Sequence, residues 1–335
     1  MGQDAAVILA GDIGGTHTRL AAYTVAGGRL RPERAQNYSS PAHAGLAEIV
    51  ERFVAGREAD YRHACFGIAG PVQAGRVTTP NLPWRIEAAA LSTLLGGVAV
   101  TLINDLEASA HGIAMLAPGD FVTINAGDAG ARGNAAVVSA GTGLGEAGLY
   151  WDGGKLHPFA CEGGHTDFGP RNEAEVGLLN YLLARFERVS YERVVSGPGL
   201  KHIYDFLRDS GRGAETPAVA EAMRAQDPAA VISAAALAGR CTLCAQALDM
   251  FVSLYGAEAG NAALKFFARA GVYLGGGIAP QIVARLGDGG FMRAFTAKGR
   301  MRPLLEAMPV RVILNPDVAL LGAARVAAAA ARLME

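Results

Sequence analysis

One short block near the start constrains this chain most: Leu9-Ala-Gly-Asp-Ile-Gly-Gly-Thr-His-Thr-Arg-Leu-Ala-Ala-Tyr23. An apolar run meets an acid, a glycine pair and two threonines, and a second apolar run follows. Two strands joined by such a turn put backbone N–H groups and hydroxyls where a phosphate chain can lie. Asp12 stands beside them, placed to hold a hydrated magnesium ion. A second version occurs at Val138-Ser-Ala-Gly-Thr-Gly-Leu-Gly-Glu-Ala-Gly-Leu-Tyr150. A duplicated lobe with one phosphate loop from each half suits a nucleotide held between them. Plain glycine-rich hairpin turns are the alternative.

The 335 residues suffice for two compact domains, and 51% of them are hydrophobic, enough for a large core. The formal net charge of −1, with both signs spread along the chain, lacks the basic stripe of a nucleic-acid binder. Charge blocks and low-complexity runs are missing, so no disordered tail is expected. Strands are expected around 64–69, 98–103, 121–124, 135–139, 272–274 and 310–314. Helices are expected around 44–56, 173–186, 199–209, through much of 217–269, and from 319 to the end. Hairpins alternating with crossover helices predict an α/β chain with two related lobes.

The four cysteines are Cys65, Cys161, Cys241 and Cys244, a usage that fits a reducing compartment. Cys241 and Cys244 fall inside residues 231–248, which read as one helix carrying both thiols on one face. No second Cys/His pair lies nearby to complete a zinc site, so they read as small core residues. No secretory leader is visible, and the alanine-rich segments 229–248 and 318–332 are broken by Arg240 and Arg325. The expected location is the cytoplasm, away from membranes.

Two nucleotide fingerprints fail. No Walker A string exists. The G-x-G-x-x-G at Gly143–Gly148 continues into a strand pattern, whereas a dinucleotide site needs a helix opening there. The junction Leu102-Ile-Asn-Asp-Leu-Glu107 is the best catalytic candidate. An amide and a carboxylate at a strand end can hold one sugar hydroxyl and take a proton from another, unless Asn104 or Asp105 serves only as a helix cap. In Cys161-Glu-Gly-Gly-His-Thr-Asp-Phe168, two glycines allow a sharp bend that converges Glu162 and His165 on a polyhydroxylated ligand. Asp167 reads equally as a turn residue. Glu192 adds a carboxylate just before a helix start marked by Pro198.

Together these motifs resemble bacterial glucokinases of the non-ROK type, within the hexokinase/actin-like ATPase superfamily, over essentially the whole chain. Asp12-Ile-Gly-Gly-Thr16 resembles the first phosphate motif and Ala140-Gly-Thr-Gly-Leu-Gly145 the second. Phe66-Gly-Ile-Ala-Gly-Pro71 and Asn81-Leu-Pro-Trp84 resemble segments bordering the sugar pocket. Asn104-Asp105 resembles the sugar-binding and catalytic pair. Glu162-Gly-Gly-His165, Asp167-Phe168 and Glu192 resemble the glucose-binding acids and their surroundings. Leu274-Gly-Gly-Gly-Ile-Ala-Pro280 resembles the nucleotide-side glycine loop, and residues 315–324 the closing segment.

The resemblance implies a two-lobed ribonuclease H-like/actin-like ATPase fold with the active site in the interlobe cleft. Residues 1–109 and 315–335 would form the small lobe and 110–314 the large one. It implies transfer from ATP to the 6-hydroxyl of D-glucose, with Asp105 as proton acceptor. Asn81, Asn104, Asp105, Glu162, His165 and Glu192 would bind glucose. Gly14, Gly15, Thr16, Gly141, Thr142, Gly143, Gly275 and Gly276 would bind ATP, and Asp12 would hold Mg2+ through water. A homodimer is implied. The zinc-binding cysteine motif of ROK proteins is missing, so no structural zinc is expected. Another hexose, an N-acetylhexosamine, an ADP or polyphosphate donor, and a silent sugar-responsive regulator stay open as alternatives.

Overall fold

The computed structural model describes residues 6–56, 61–79 and 82–334. The chain divides into two compact units, Met1–Ala117 with Asn315–Glu335, and Pro118–Leu314.

The first unit opens with β1 (Ala6–Ile13), β2 (His17–Ala26) and β3 (Arg29–Ser39). Next come α1 (Leu46–Val54), β4 (Tyr61–Ile68), and a small hairpin of β5 (Arg76–Thr78) and β6 (Arg85–Glu87). Then α2 (Ala88–Leu94), β7 (Val100–Asn104) and α3 (Asp105–Gly112) follow. The sheet order is β3-β2-β1-β4-β7, with antiparallel pairs from β3 to β1 and parallel pairs from β1 to β7. Strand β1 is apolar on both faces because both are covered. Leu9 and Ile13 join a core with α1 and β4, while Ile8 and Ala10 join one with the last helix.

The second unit begins with β8 (Phe121–Asn125), β9 (Ala135–Ala140), β10 (Leu144–Trp151) and β11 (Leu156–Cys161). A helical stretch follows: α4 (Glu173–Leu183), α5 (Gly197–Asp209), α6 (Pro217–Ala225), α7 (Pro228–Leu237) and α8 (Thr242–Lys265). The unit continues with β12 (Gly271–Gly275), α9 (Val283–Gly287), α10 (Gly290–Thr296), α11 (Arg302–Glu306) and β13 (Val310–Ile313). Helix α12 (Val318–Ala330) then returns to the first unit. The sheet order is β11-β10-β9-β12-β13-β8. Its first five strands repeat the order and direction of the first unit's sheet, with β8 added antiparallel to β13. The short sequence repeat therefore marks a repeated topology, and the chain has the α/β actin-like ATPase fold.

Several elements depart from the sequence reading. Residues 231–248 are not one helix. Helix α7 stops at Leu237, Gly239 turns with φ +65°, and α8 starts at Thr242 with its axis 104° away. Cys241 consequently caps α8, its sulfur accepting the Cys244 N–H at 3.2 Å, and both thiols are buried. The final helix ends at Ala330 rather than at the chain end. Strand β3 was unforeseen because its charged, exposed residues show no alternation; it is an edge strand, where Pro32 is tolerated. Among the described residues no single helix is long and apolar enough to cross a membrane.

Candidate active site

In the first unit the turn between β1 and β2 is held from behind. The Gly14 N–H donates to the His17 carbonyl at 2.9 Å. Ser40, just past β3, donates its hydroxyl to the Gly14 carbonyl at 2.8 Å and its N–H to the Thr16 carbonyl at 3.0 Å. The buried Thr18 hydroxyl meets the Ser40 hydroxyl at 3.0 Å. Both carbonyls of the turn are thereby turned inward, and Thr16 stays exposed. Nothing in the sequence marked Ser40; its role depends on β3 pairing His17 with Ser39.

Asn104 and Asp105 sit where β7 becomes α3. Asn104 is the cap: its carbonyl oxygen accepts from Leu106 N at 2.9 Å and Glu107 N at 3.3 Å, and its amide donates to the Gly70 carbonyl at 3.1 Å. It is only 8% exposed, so its oxygen is committed to the helix and its nitrogen alone can serve a ligand. Asp105 is the first helical residue, partly exposed, with one oxygen 2.9 Å from Leu106 N. Helix α3 is fixed by contacts only glycine permits. A Cβ on Gly67 would lie 2.7 Å from the Ala108 Cβ. A Cβ on Gly112 or Gly322 would come within 1.9 Å of a carbonyl oxygen across the α3–α12 contact.

Asp12, on β1 opposite Arg19 of β2, carries a strongly perturbed carboxyl. Its carboxyl is pushed up from 3.8 to about 6, first by burial, then by Asp105, against the pull of Arg19 and with a further push from Asp317. Arg19 is itself engaged, donating to the Pro316 carbonyl at 2.9 Å and to Asp317 at 3.2 Å. A largely buried carboxylate facing two others is under-compensated, which is a setting a hard cation relieves. Among the described residues no three His, Cys, Asp or Glu side chains gather as a metal-binding group. The oxygen donors present fit Mg2+, which is commonly held by one or two carboxylates together with water and substrate phosphates.

In the second unit the turn Gly141–Gly143 joins β9 to β10 and is closed by a 2.9 Å bond from Gly141 N to the Gly143 carbonyl. Gly276 turns at φ +80°, and a Cβ there would lie 2.2 Å from the Ala140 carbonyl, so Gly275 and Gly276 lie against the same strand end. Glu192 sits on a short 3-10 turn, Tyr191–Arg193, and its Oε2 accepts from Leu144 N at 3.0 Å. A Cβ on Gly143 would come within 2.5 Å of that oxygen. His165 stands between two acids, with Nε2 3.9 Å from Glu162 and Nδ1 4.0 Å from Glu192. The structure thus brings together Glu162, His165 and Glu192.

Asp167 is an exposed partner of Arg188, which also donates to the His165 carbonyl, so it braces the turn from outside. Ser196 caps α5 by accepting from Gly199 N at 3.0 Å. The G-x-G-x-x-G does run along a strand, β10, and opens no helix. Asn81 lies outside the described residues.

The sequence model of the glucokinase family matches residues 9–330. The glucokinase of Trichormus variabilis is 42% identical over 338 aligned positions, covering 96% of this chain and 99% of that protein. A crystal structure of glucokinase from an Antarctic psychrotroph superposes with a TM-score of 0.81 at 30% identity, over 96% of this chain and 98% of that one. A glucokinase from Balamuthia mandrillaris in complex with glucose gives a TM-score of 0.81 at 22% identity, over 96% and 94%.

Proposed function

The chain belongs to the glucokinase family, and from that premise we propose which of its residues carry out the reaction. The reaction itself is transfer of a phosphoryl group from ATP to D-glucose, giving glucose 6-phosphate.

Asp105 accepts the proton of the 6-hydroxyl as that oxygen attacks. Its place in the first turn of α3 suits a carboxylate, because the positive end of the helix dipole favours negative charge there. Glu162, His165 and Glu192 hold the remaining hydroxyls together with Asn81 and the amide nitrogen of Asn104. Each is a polar group whose unmet hydrogen bond would penalise a sugar with a missing or inverted hydroxyl. The observation that carries this assignment is the convergence of the two acids on His165 within 4.0 Å.

The backbone of Gly14, Gly15, Gly141, Gly143, Gly275 and Gly276, with the hydroxyls of Thr16 and Thr142, lies along the phosphates. Bound Mg2+ supplies charge neutralisation there, and Asp12 would hold it through its water shell. The protein's contribution is mostly positioning and charge stabilisation, since a loose phosphoryl transition state requires little covalent help. Glu192 joins two tasks, because the carboxylate assigned to the sugar also holds Leu144 N at the end of the second glycine turn. The family resemblance further supports a homodimer, and four unpaired cysteines support a cytoplasmic setting.

A kinetic split tests the assignment. Glu162→Gln should raise KM for glucose roughly tenfold, the scale of one hydrogen bond to a charged group, and leave KM for ATP within about twofold. An unchanged glucose KM would remove Glu162 from the sugar site. A panel of glucose, mannose, fructose and N-acetylglucosamine with ATP, ADP and polyphosphate should show glucose and ATP preferred.

A further inference from the structure

Beneath the Gly163–His165 turn lie two buried acids that the reaction does not use. Glu146 of β10 is 1% exposed and Glu258 of α8 is 0% exposed, and they face each other. As two carboxylates neither can donate to the other. In that state both oxygens of Glu146 and Oε1 of Glu258 are buried without a hydrogen-bond partner. Glu258 has compensation: Lys265 Nζ lies 3.5 Å from Oε1, and Asn261 donates to Oε2 at 2.7 Å. Glu146 makes no such contact, Lys265 acting on it only from beyond ion-pair distance, so a single proton between the acids belongs on Glu146 and turns a repulsion into an O–H···O bond.

The pair is linked to both segments assigned to glucose, one directly and one through Asn261. A Cβ on Gly163 would lie 2.0 Å from Glu146 Oε2, so the backbone between Glu162 and His165 rests directly on that carboxyl. From Glu258 the connection runs through Asn261, whose amide also reaches the Tyr191 hydroxyl at 3.1 Å, beside Glu192. We propose that Glu146 and Glu258 are a proton-sharing positioning pair that seats the Glu162–His165 turn and the Glu192 turn, so that losing the shared proton weakens glucose binding. The inference rests on the assignment of Glu162, His165 and Glu192 to the sugar.

The groups facing Glu146 are Glu258, Lys265 and Tyr255 of α8 and Cys161 of β11, with Glu162 next to Cys161 in the chain. Tyr191 and Lys298 join through Asn261. Burial first, then Glu258, push the Glu146 carboxyl up to about 8, with Lys265 pulling the other way. Below that pH the proton stays; above it, it leaves to water and two like charges remain buried under Gly163.

The test measures KM for glucose and for ATP from about pH 6.5 to about pH 9, spanning the Glu146 transition. It uses the intact chain, Glu146→Gln, and Glu162→Gln as a control on the sugar assignment. The native chain should lose glucose affinity several-fold above about pH 8 while KM for ATP changes little. Glu146→Gln, which keeps the shape and a donor but has no proton to lose, should match the native glucose KM near neutrality and lack the alkaline rise. An alkaline rise that persists in Glu146→Gln overturns the proposal, whereas an unchanged glucose KM in Glu162→Gln overturns the sugar assignment instead. Infrared titration of the unmutated chain reads the proton directly. A protonated-carboxyl band that disappears with a midpoint near about 8 supports the pair, and its absence at neutral pH overturns it.

Discussion

Replacing Asp12 with asparagine should stabilise the ligand-free protein while abolishing most of its activity. The native carboxyl is pushed from 3.8 up to about 6 by burial and by Asp105. Its folded-state value is therefore above its unfolded one, so its contribution to stability is intact below about pH 4 and is lost as pH rises through about 6. Each pH unit between the two values corresponds to about 1.4 kcal/mol, so ionised Asp12 costs on the order of 3 kcal/mol at neutral pH. The amide removes that charge at nearly constant shape. With about 2.1 cal/mol/K of unfolding entropy per residue over 335 residues, 3 kcal/mol raises Tm by about 4 °C if the chain unfolds as one. The assay is thermal unfolding in a chelator at pH 7 and at about pH 4, with turnover measured alongside. Asp12→Asn and the native protein should differ at pH 7 and converge in acid, and the variant should turn over at least about a hundredfold more slowly. A variant that is less stable at pH 7, or equally shifted at both pH values, would refute the electrostatic argument.

Ser40→Ala removes the hydroxyl that holds the Gly14 carbonyl and should raise KM for ATP several-fold with a stability loss of about 1 kcal/mol, read by kinetics and denaturant unfolding. Gly322→Ala forces a Cβ to 1.7 Å from the Ala108 carbonyl and should cost about 3 kcal/mol or more, lowering kcat through displacement of α3; an unfolding midpoint equal to the native one would contradict the contact. Glu192→Gln should raise KM for both glucose and ATP, unlike Glu162→Gln, because its carboxylate also holds Leu144 N.

The two glycine turns were legible because their physics is local: glycines and hydroxyl residues between two apolar runs read as a hairpin turn. The repeat of short motifs also foreshadowed the repeated sheet order. Asn104 and Asp105 were located correctly at a strand-to-helix junction, but which of them caps the helix required the observed bonds to Leu106 and Glu107. The rest was hidden because it depends on contacts distant in sequence. Ser40 reaches a turn 26 residues earlier only after β3 has paired. Strand β3 carries no apolar alternation since it is exposed at a sheet edge. Glu146 carries no local signal in the sequence, because its setting arises only when α8 brings Glu258 against it. Cys241 and Cys244 read as one helix face because residues 231–248 are apolar almost throughout, and a single glycine, Gly239, breaks the helix.

The central claim is that Asp105 moves the proton while other residues hold the sugar. Calorimetric glucose titration of Asp105→Asn, paired with its turnover number, tests this most directly. The account predicts a glucose affinity within a few-fold of native and a kcat reduced by about a hundredfold or more. A kcat close to native, or a glucose affinity lost in step with turnover, would contradict it.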